Sequence, residues 1–298
     1  MCRAVASFVA GDAAQARARL EAVLAAHPEQ LSALAVQAQM LARSGQREAA
    51  LGLLDRVIAR FPDYPGAQAL LGALLLPGPH YRDVLAKLHS ELAPRAYLEI
   101  GVDTGATLAL AGACNVAIGI DPAEIRPAKP LPACVRLFRA TSDAFFAAHT
   151  ADEVLGSRRL DFVFIDGMHR FENALADFDH AEGWSNPSGT IVFHDCLPLH
   201  PVTASRERRS SFWVGDTWKV VIALRSARPE LRIRTIPCAP SGLVVVRGLN
   251  PDSKILSARR EELLQRFGAI GWERPLGDFP PDFSLVGNDA TGIRAAIT

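Results

Sequence analysis

Two kinds of hydrophobic spacing divide the chain near residue 80. Before it, apolar residues recur three and four positions apart in GDAAQARARLEAVLAAHP (11–28) and GQREAALGLLDRVIARFP (45–62). That spacing puts one apolar stripe along an α-helix. LSALAVQAQMLARS (31–44) reads as a partner helix and PGAQALLGALLL (65–76) as the start of another. From Tyr97 onward the pattern becomes short apolar runs: AYLEIGV (96–102), VAIGID (116–121), VRLFRAT (135–141), DFVFID (161–166), GTIVFHD (189–195), LRIRTIP (231–237) and GLVVVRG (242–248). Continuous runs separated by helical stretches predict strands buried on both faces, an α/β fold with a parallel sheet. Only CAPS (238–241) separates the last two runs. Four residues cannot hold a crossover, so these strands must form an antiparallel hairpin. SKILSARREELLQR (253–266) predicts a further amphipathic helix, and the tail from Gly271 has no clear period.

The helical part repeats itself. Gly11, Ala16, Leu20, Val23 and Pro28 recur as Gly45, Ala50, Leu54, Val57 and Pro62, every time at an offset of 34. This period resembles tetratricopeptide repeats. The resemblance implies a protein partner or self-association through this segment. About two repeats are present, fewer than the three usually needed to stand alone, so they should pack on the next domain or on another copy. The expected division is a tetratricopeptide-like segment over 1–80, an α/β domain over 81–250, and a C-terminal helix with an irregular tail over 251–298.

Bulk composition narrows the function. The formal net charge is zero, which gives no reason to expect nucleic acid or anionic lipid as a partner. Five cysteines (Cys2, Cys114, Cys134, Cys196, Cys238) are scattered without a CxxC pair, so neither a disulfide framework nor a zinc site is expected. The N-terminus lacks a signal-peptide pattern, and the longest apolar run, ALLGALLL (69–76), is too short to span a bilayer. These features together point to a cytoplasmic protein.

Candidate chemistry gathers at the strand ends, where open α/β sheets bind ligands. The first strand runs into Glu99, Gly101, Asp103, Thr104 and Gly105. Glycines allow close backbone approach, while the acids disfavour a pyrophosphate and favour a ligand with a positive amine. Asp121 ends the second strand, placed to accept ribose hydroxyls, and Ser142 and Asp143 after the third could meet an adenine edge. LEIGVDTGAT, then GIDP, then TSDAFF resembles the cofactor-binding series of class I S-adenosylmethionine-dependent methyltransferases. The resemblance implies a Rossmann-like seven-stranded sheet of order 3-2-1-4-5-7-6, with Glu99, Gly101, Asp121 and Asp143 as cofactor contacts.

In that architecture the fourth and fifth strands are neighbours, so Asp166 and Asp195 stand side by side. Unpaired, they would repel, and a divalent cation removes the conflict. Oxygen ligands suit Mg²⁺, Mn²⁺ or Ca²⁺, and an added histidine tilts the choice toward Mn²⁺, Fe²⁺ or Zn²⁺. IDGMHRFE followed by SGTIVFHD resembles a family of metal-dependent O-methyltransferases that includes sugar methyltransferases of macrolide biosynthesis. It implies Asp166 and Asp195 as metal ligands, His194 as a further ligand or a group behind them, and His169 as general base. Magnesium or manganese is the implied metal, and a sugar or polyhydroxylated secondary metabolite the implied acceptor. The sequence departs from catechol-type relatives at Cys196, where those carry an amide ligand.

Three rival readings remain at this stage. One is metal-independent methylation with His169 alone as base. Another is a non-catalytic interaction protein that works through the repeats. The third is an oxygenase-like relative holding iron through the acids and histidines. Further along, Trp213, Trp218 and Lys219 are expected as a substrate wall, with Asp216 capping the helix they lead into. The stretch from 197 to 211, with Arg206, Arg208 and Arg209, reads as a polar lid. Glu172, Asp177 and Asp179 read as surface acids or caps.

Overall fold

The computed structural model describes residues 13–298. Cys2 and Gly11 lie outside them. Four helices open the described chain: α1 (Ala13–Ala26), α2 (Leu31–Arg43), α3 (Arg47–Arg60) and α4 (Ala67–Leu75). The repeat offset pairs equivalent core positions, because Ala16 and Ala50, and Leu20 and Leu54, are all buried. Gly45 adopts a φ of +76° at the turn into α3, the left-handed conformation that glycine takes without steric cost.

Helix α5 (Tyr81–Leu92) leads into a seven-stranded sheet: β1 (Ala96–Ile100), β2 (Val116–Ile120), β3 (Val135–Phe138), β4 (Leu160–Ile165), β5 (Ser185–His194), β6 (Arg232–Ile236) and β7 (Leu243–Arg247). The order is 3-2-1-4-5-7-6. The first five strands run parallel, and β7 is antiparallel to both β5 and β6. Between β3 and β4 lie α6 (Ser142–Ala148) and α7 (Ala151–Leu155). Helix α8 (Phe171–Gly183) joins β4 to β5, α9 (Lys219–Ala227) precedes β6, and α10 (Ile255–Gly268) follows β7.

Alternate residues of each strand enter two separate cores. Leu98, Ile100, Val163, Ile165, Ile191 and Phe193 face one of them, together with apolar residues of α8, α9 and α10. That same core continues into Leu34, Leu51, Leu54, Ile58 and Leu71 of the helical segment. Tyr97, Phe162, Phe164 and Val192 face the other, against Val84, Leu85 and Leu88 of α5. Burial on both faces is why the strands read as unbroken apolar runs.

The tail from Gly271 is ordered by backbone pairing, although its sequence shows no period. Thr235 on edge strand β6 donates its amide to Ser284 and accepts from the amide of Val286. A last helix, α11 (Ala290–Ile297), then packs Ile293 and Ala296 into the second core. The tail thus covers an edge that would otherwise offer unpaired backbone groups. No helix among the described residues is long and apolar enough to cross a membrane.

Candidate functional site

At the carboxyl ends of β1, β2 and β4 the chain folds into a cleft of about 430 Å³, within the range of small-molecule sites. Gly101 turns there with a φ of +85°, and a Cβ on it would stand 2.0 Å from the Asp166 carbonyl oxygen. Only glycine lets the two strand ends pass. Asp121 braces the same turn: Oδ2 accepts the amides of Val102 (2.9 Å) and Asp103 (3.1 Å), and Oδ1 accepts that of Ala123 (2.8 Å). Asp103 itself adopts a φ of +47°, uncommon for a residue other than glycine. The lining carries the carboxylates of Asp103, Asp121, Asp143 and Asp166 and no Lys, Arg or His. Such a surface repels phosphates and attracts a cationic ligand.

A second cleft, of about 660 Å³, opens beside the first, and Asp103, Asp166, Gly167 and Met168 line both. On its floor, one ligand atom each from Asp166, His169 and Asp195 lie within 4.8 Å of one another. His169 Nε2 is 3.1 Å from Asp195 Oδ2 and 3.5 Å from Asp166 Oδ1. Its Nδ1 lies 2.6 Å from the Trp213 carbonyl oxygen, and the Trp213 ring stacks on the imidazole with centroids 5.5 Å apart. Gly215 makes this approach feasible, since a Cβ there would lie 1.8 Å from the His169 carbonyl oxygen. Asp195 is turned by a φ of +56° and is held through Oδ1 by the Ser241 hydroxyl from the β6–β7 hairpin.

The charges are tightly linked. Burial opposes ionisation of Asp166, but His194 and His169 outweigh it and hold the carboxyl below its ordinary range. Burial likewise opposes a charge on His169, yet Asp195 and Asp166 push its pKa up to about 9. The same two acids raise His194 against the effect of its own burial. Without a cation, therefore, the paired carboxylates favour a proton on His169.

Residues 98–196 match the family model described as a methyltransferase domain, and residues 8–74 match a tetratricopeptide repeat. The chain carries a methyltransferase domain. Its strand order and C-terminal hairpin are those expected of class I methyltransferases from the sequence. Compared with curated proteins, the chain has no match. Among solved structures, an O-methyltransferase from Bacillus cereus in complex with SAH is 17% identical, with a TM-score of 0.43, covering 65% of this chain and 96% of that one. The O-methyltransferase TomG from Streptomyces achromogenes, involved in tomaymycin synthesis and in complex with SAM, is 15% identical, with a TM-score of 0.44, covering 67% and 89%.

Within the methyltransferase domain, Gly101, Asp103, Asp121, Ser142 and Asp143 line the first cleft. Glu99, Thr104 and Gly105 do not. Glu99 is fully buried and accepts hydrogen bonds from Tyr97 Oη (2.6 Å) and Thr107 Oγ1 (2.8 Å). Its contribution is to fix the end of β1 from beneath. Burial pushes its carboxyl up to about 8, against the pull of those hydrogen bonds.

His194 is not among the three converging groups. Strand alternation turns it toward α5, where Tyr81 packs on its ring at 4.2 Å. Its Nδ1 is 3.1 Å from Asp166 Oδ1, and Nε2 is 3.3 Å from Ser241 Oγ. The Cys196 thiol is buried, which raises its pKa well above the ordinary value, and Sγ donates to the His194 carbonyl oxygen.

Trp213 lines the second cleft, but Trp218 and Lys219 do not. Trp218 packs edge-on against Trp272. Lys219 is 4% exposed and binds Asp216 Oδ2 (3.0 Å) and the Gly268 carbonyl oxygen (2.6 Å). Asp216 caps a different helix from the expected one: its Oδ1 accepts the Phe171 amide at the start of α8 (2.8 Å). Asp177, expected at the surface, is 2% exposed on the inner side of α8, near Gly167. The segment from 197 to 211 is anchored to the helical segment, with His200 Nε2 3.3 Å from Asp55 Oδ1 and Asp63 accepting both the amide and the hydroxyl of Ser211. Tyr81, Arg82 and Ser241 carried no sequence signal, because remote segments bring them to the site.

Proposed function

We propose that the chain transfers a methyl group from S-adenosylmethionine to a hydroxyl of a sugar or polyhydroxylated secondary metabolite. In this reading Asp166, His169 and Asp195 hold a divalent cation, magnesium or manganese. The observation that carries the proposal is the shared rim of the two clefts at Asp103, Asp166, Gly167 and Met168. Methyl transfer requires donor and acceptor in contact and in line, and adjoining clefts supply that proximity.

The acidic first cleft suits the donor's amine and sulfonium, and the lining acids have acceptor capacity for its ribose hydroxyls. The floor of the second cleft suits a hard or borderline cation in ligand type and spacing. His169 is pre-set for that role. With a proton on Nδ1 donated to the Trp213 carbonyl, the Nε2 lone pair faces the two acids, the usual arrangement behind a metal-bound imidazole. When bound, the cation would lower the pKa of the acceptor hydroxyl.

The same geometry argues against the sequence-based role of His169 as general base. Both of its nitrogens face acceptors. Without a cation it is held as imidazolium, and with one its free lone pair is engaged. Trp213 and the neighbouring Phe212 wall the cleft and limit water around the hydroxyl.

The test is calorimetric titration of metal-stripped protein with S-adenosylmethionine and, separately, with Mn²⁺. Both should bind the wild type. Asp195→Asn and His169→Ala should lose the Mn²⁺ heat and keep donor binding, because neither residue lines the first cleft. Donor binding and acceptor methylation that persist in the presence of a chelator would refute the metal assignment. A folded protein that binds no S-adenosylmethionine would refute the whole reading.

A further inference from the structure

We infer that the methyl acceptor bears an anionic group, a carboxylate or a phosphate, held by Arg82 and Arg208 in the second cleft. This rests on the reading of that cleft as the acceptor site. The two arginines come from separate segments, the first turn of α5 and the stretch before Trp213, and both line the cleft. Each guanidinium is oriented by neutral partners. Arg82 Nε donates to Tyr81 Oη at 3.1 Å and the group lies over the Tyr81 ring, 5.5 Å from its centroid. Arg208 donates from Nε to the Ser210 carbonyl oxygen (3.3 Å) and from Nη2 to that of Ser211 (2.9 Å).

Their neighbours behave differently. Arg206 pairs with Glu172 and Asp216, and Arg209 with Glu207, and neither lines the cleft. Among the described residues Arg82 and Arg208 form no ion pair, although the cleft floor holds two carboxylates. Those carboxylates are engaged by His169 and His194. Asp63, whose carboxylate feels the charge of Arg208, already serves Ser211 through Oδ1.

The cleft therefore contains two positive groups that form no ion pair among the described residues, although Asp103 lines its rim and Asp63 lies near enough to feel Arg208. Guanidinium groups held by part of their donor set keep the remaining N–H groups for a planar or tetrahedral oxyanion. An acceptor with an anion at one end is drawn to the arginines and away from the carboxylates of Asp166 and Asp195, which leaves its hydroxyl end toward the floor. A neutral sugar would have no such discrimination.

The test uses full-length, metal-stripped protein titrated with D-glucuronate, D-glucose 6-phosphate and D-glucose, with S-adenosylmethionine affinity measured alongside. At least one anionic sugar should bind about tenfold or more tighter than D-glucose, as expected for charge-assisted hydrogen bonds. In the Arg82→Gln/Arg208→Gln variant that advantage should vanish, with melting temperature and S-adenosylmethionine affinity unchanged. Tighter binding of glucuronate assigns a carboxylate, and tighter binding of the phosphate assigns a phosphate. Equal binding of all three sugars, no binding of either anion, or a preference that survives in the double variant overturns the inference. Wild-type protein that shows the anion preference but binds no S-adenosylmethionine would sink the methyl-transfer reading. Donor binding without the preference would sink this inference alone.

Discussion

Asp216 joins stability to the site, and its removal should be costly. Its carboxylate accepts the first amide of α8 from Phe171 and pairs with Lys219 Nζ at 3.0 Å and Arg206 Nη1 at 3.2 Å. Both Asp216 and Lys219 are buried. Asp216→Asn keeps an oxygen for the Phe171 amide but leaves the ammonium of Lys219 with only the Gly268 carbonyl as a close polar partner. An uncompensated buried charge costs about 3–5 kcal/mol. Asp216→Ala adds the lost cap, about 1 kcal/mol more. Replacing both members, as Asp216→Asn/Lys219→Met, removes the stranded charge, so the double variant should recover about 2 kcal/mol relative to additive single effects. Urea unfolding followed by tryptophan fluorescence and far-UV circular dichroism would measure the cycle, with an unchanged m-value as the check on the comparison. A cost below about 1 kcal/mol for Asp216→Asn, or strict additivity in the cycle, would refute the assignment of a buried, mutually dependent pair.

Two further outcomes follow from the geometry. Gly215→Ala places a Cβ 1.8 Å from the His169 carbonyl oxygen at a φ of +60°; the displaced segment should loosen the Trp213 contact and weaken Mn²⁺ binding by about tenfold or more, and wild-type affinity by calorimetry would contradict this. Glu99 keeps its proton in the folded protein up to about pH 8, whereas the unfolded chain releases it near the ordinary carboxylate value. The folded state thus holds the extra proton between those limits, and stability falls as pH rises through that window, by a few kcal/mol at most (~5). Glu99→Gln does not titrate, so its melting temperature should gain on the wild type from about pH 5 to about pH 9, and a constant gap across that range would remove the argument.

The parts legible in the sequence were those set by local pattern. Burial of the sheet on both faces writes each strand as a continuous apolar run, and the four-residue gap between β6 and β7 permits only a hairpin. The acids at strand ends were visible because the strands were. What escaped depends on neighbours distant in sequence. Lys219 looks solvated until Asp216 and Gly268 close around it. His194 adjoins Asp195 in sequence, but the period of two along β5 sends it to the α5 face with Val192. The left-handed turn at Asp195 breaks that period and brings its carboxylate to His169 instead. The tail is held to β6 by backbone hydrogen bonds, which leave no imprint on side-chain periodicity.

The helical segment acquires a structural role from the same contacts. Two short repeats bury too little surface to stand alone, and here buried residues of α2, α3 and α4 share one core with a face of the sheet, while Leu20 and Ala33 form a small cluster of their own. Asp55 and Asp63 then fasten His200 and Ser211, which frame the stretch carrying Arg208 and leading to Trp213. The chain leaving the segment begins α5 with Tyr81 against His194 and Arg82 in the second cleft. Part of the helical segment's surface is thus used to shape the cleft. A cleft wall built this way is fixed in position by packing and by anchored hydrogen bonds, so the shape of the second cleft depends on residues of the helical segment as well as on the strand ends.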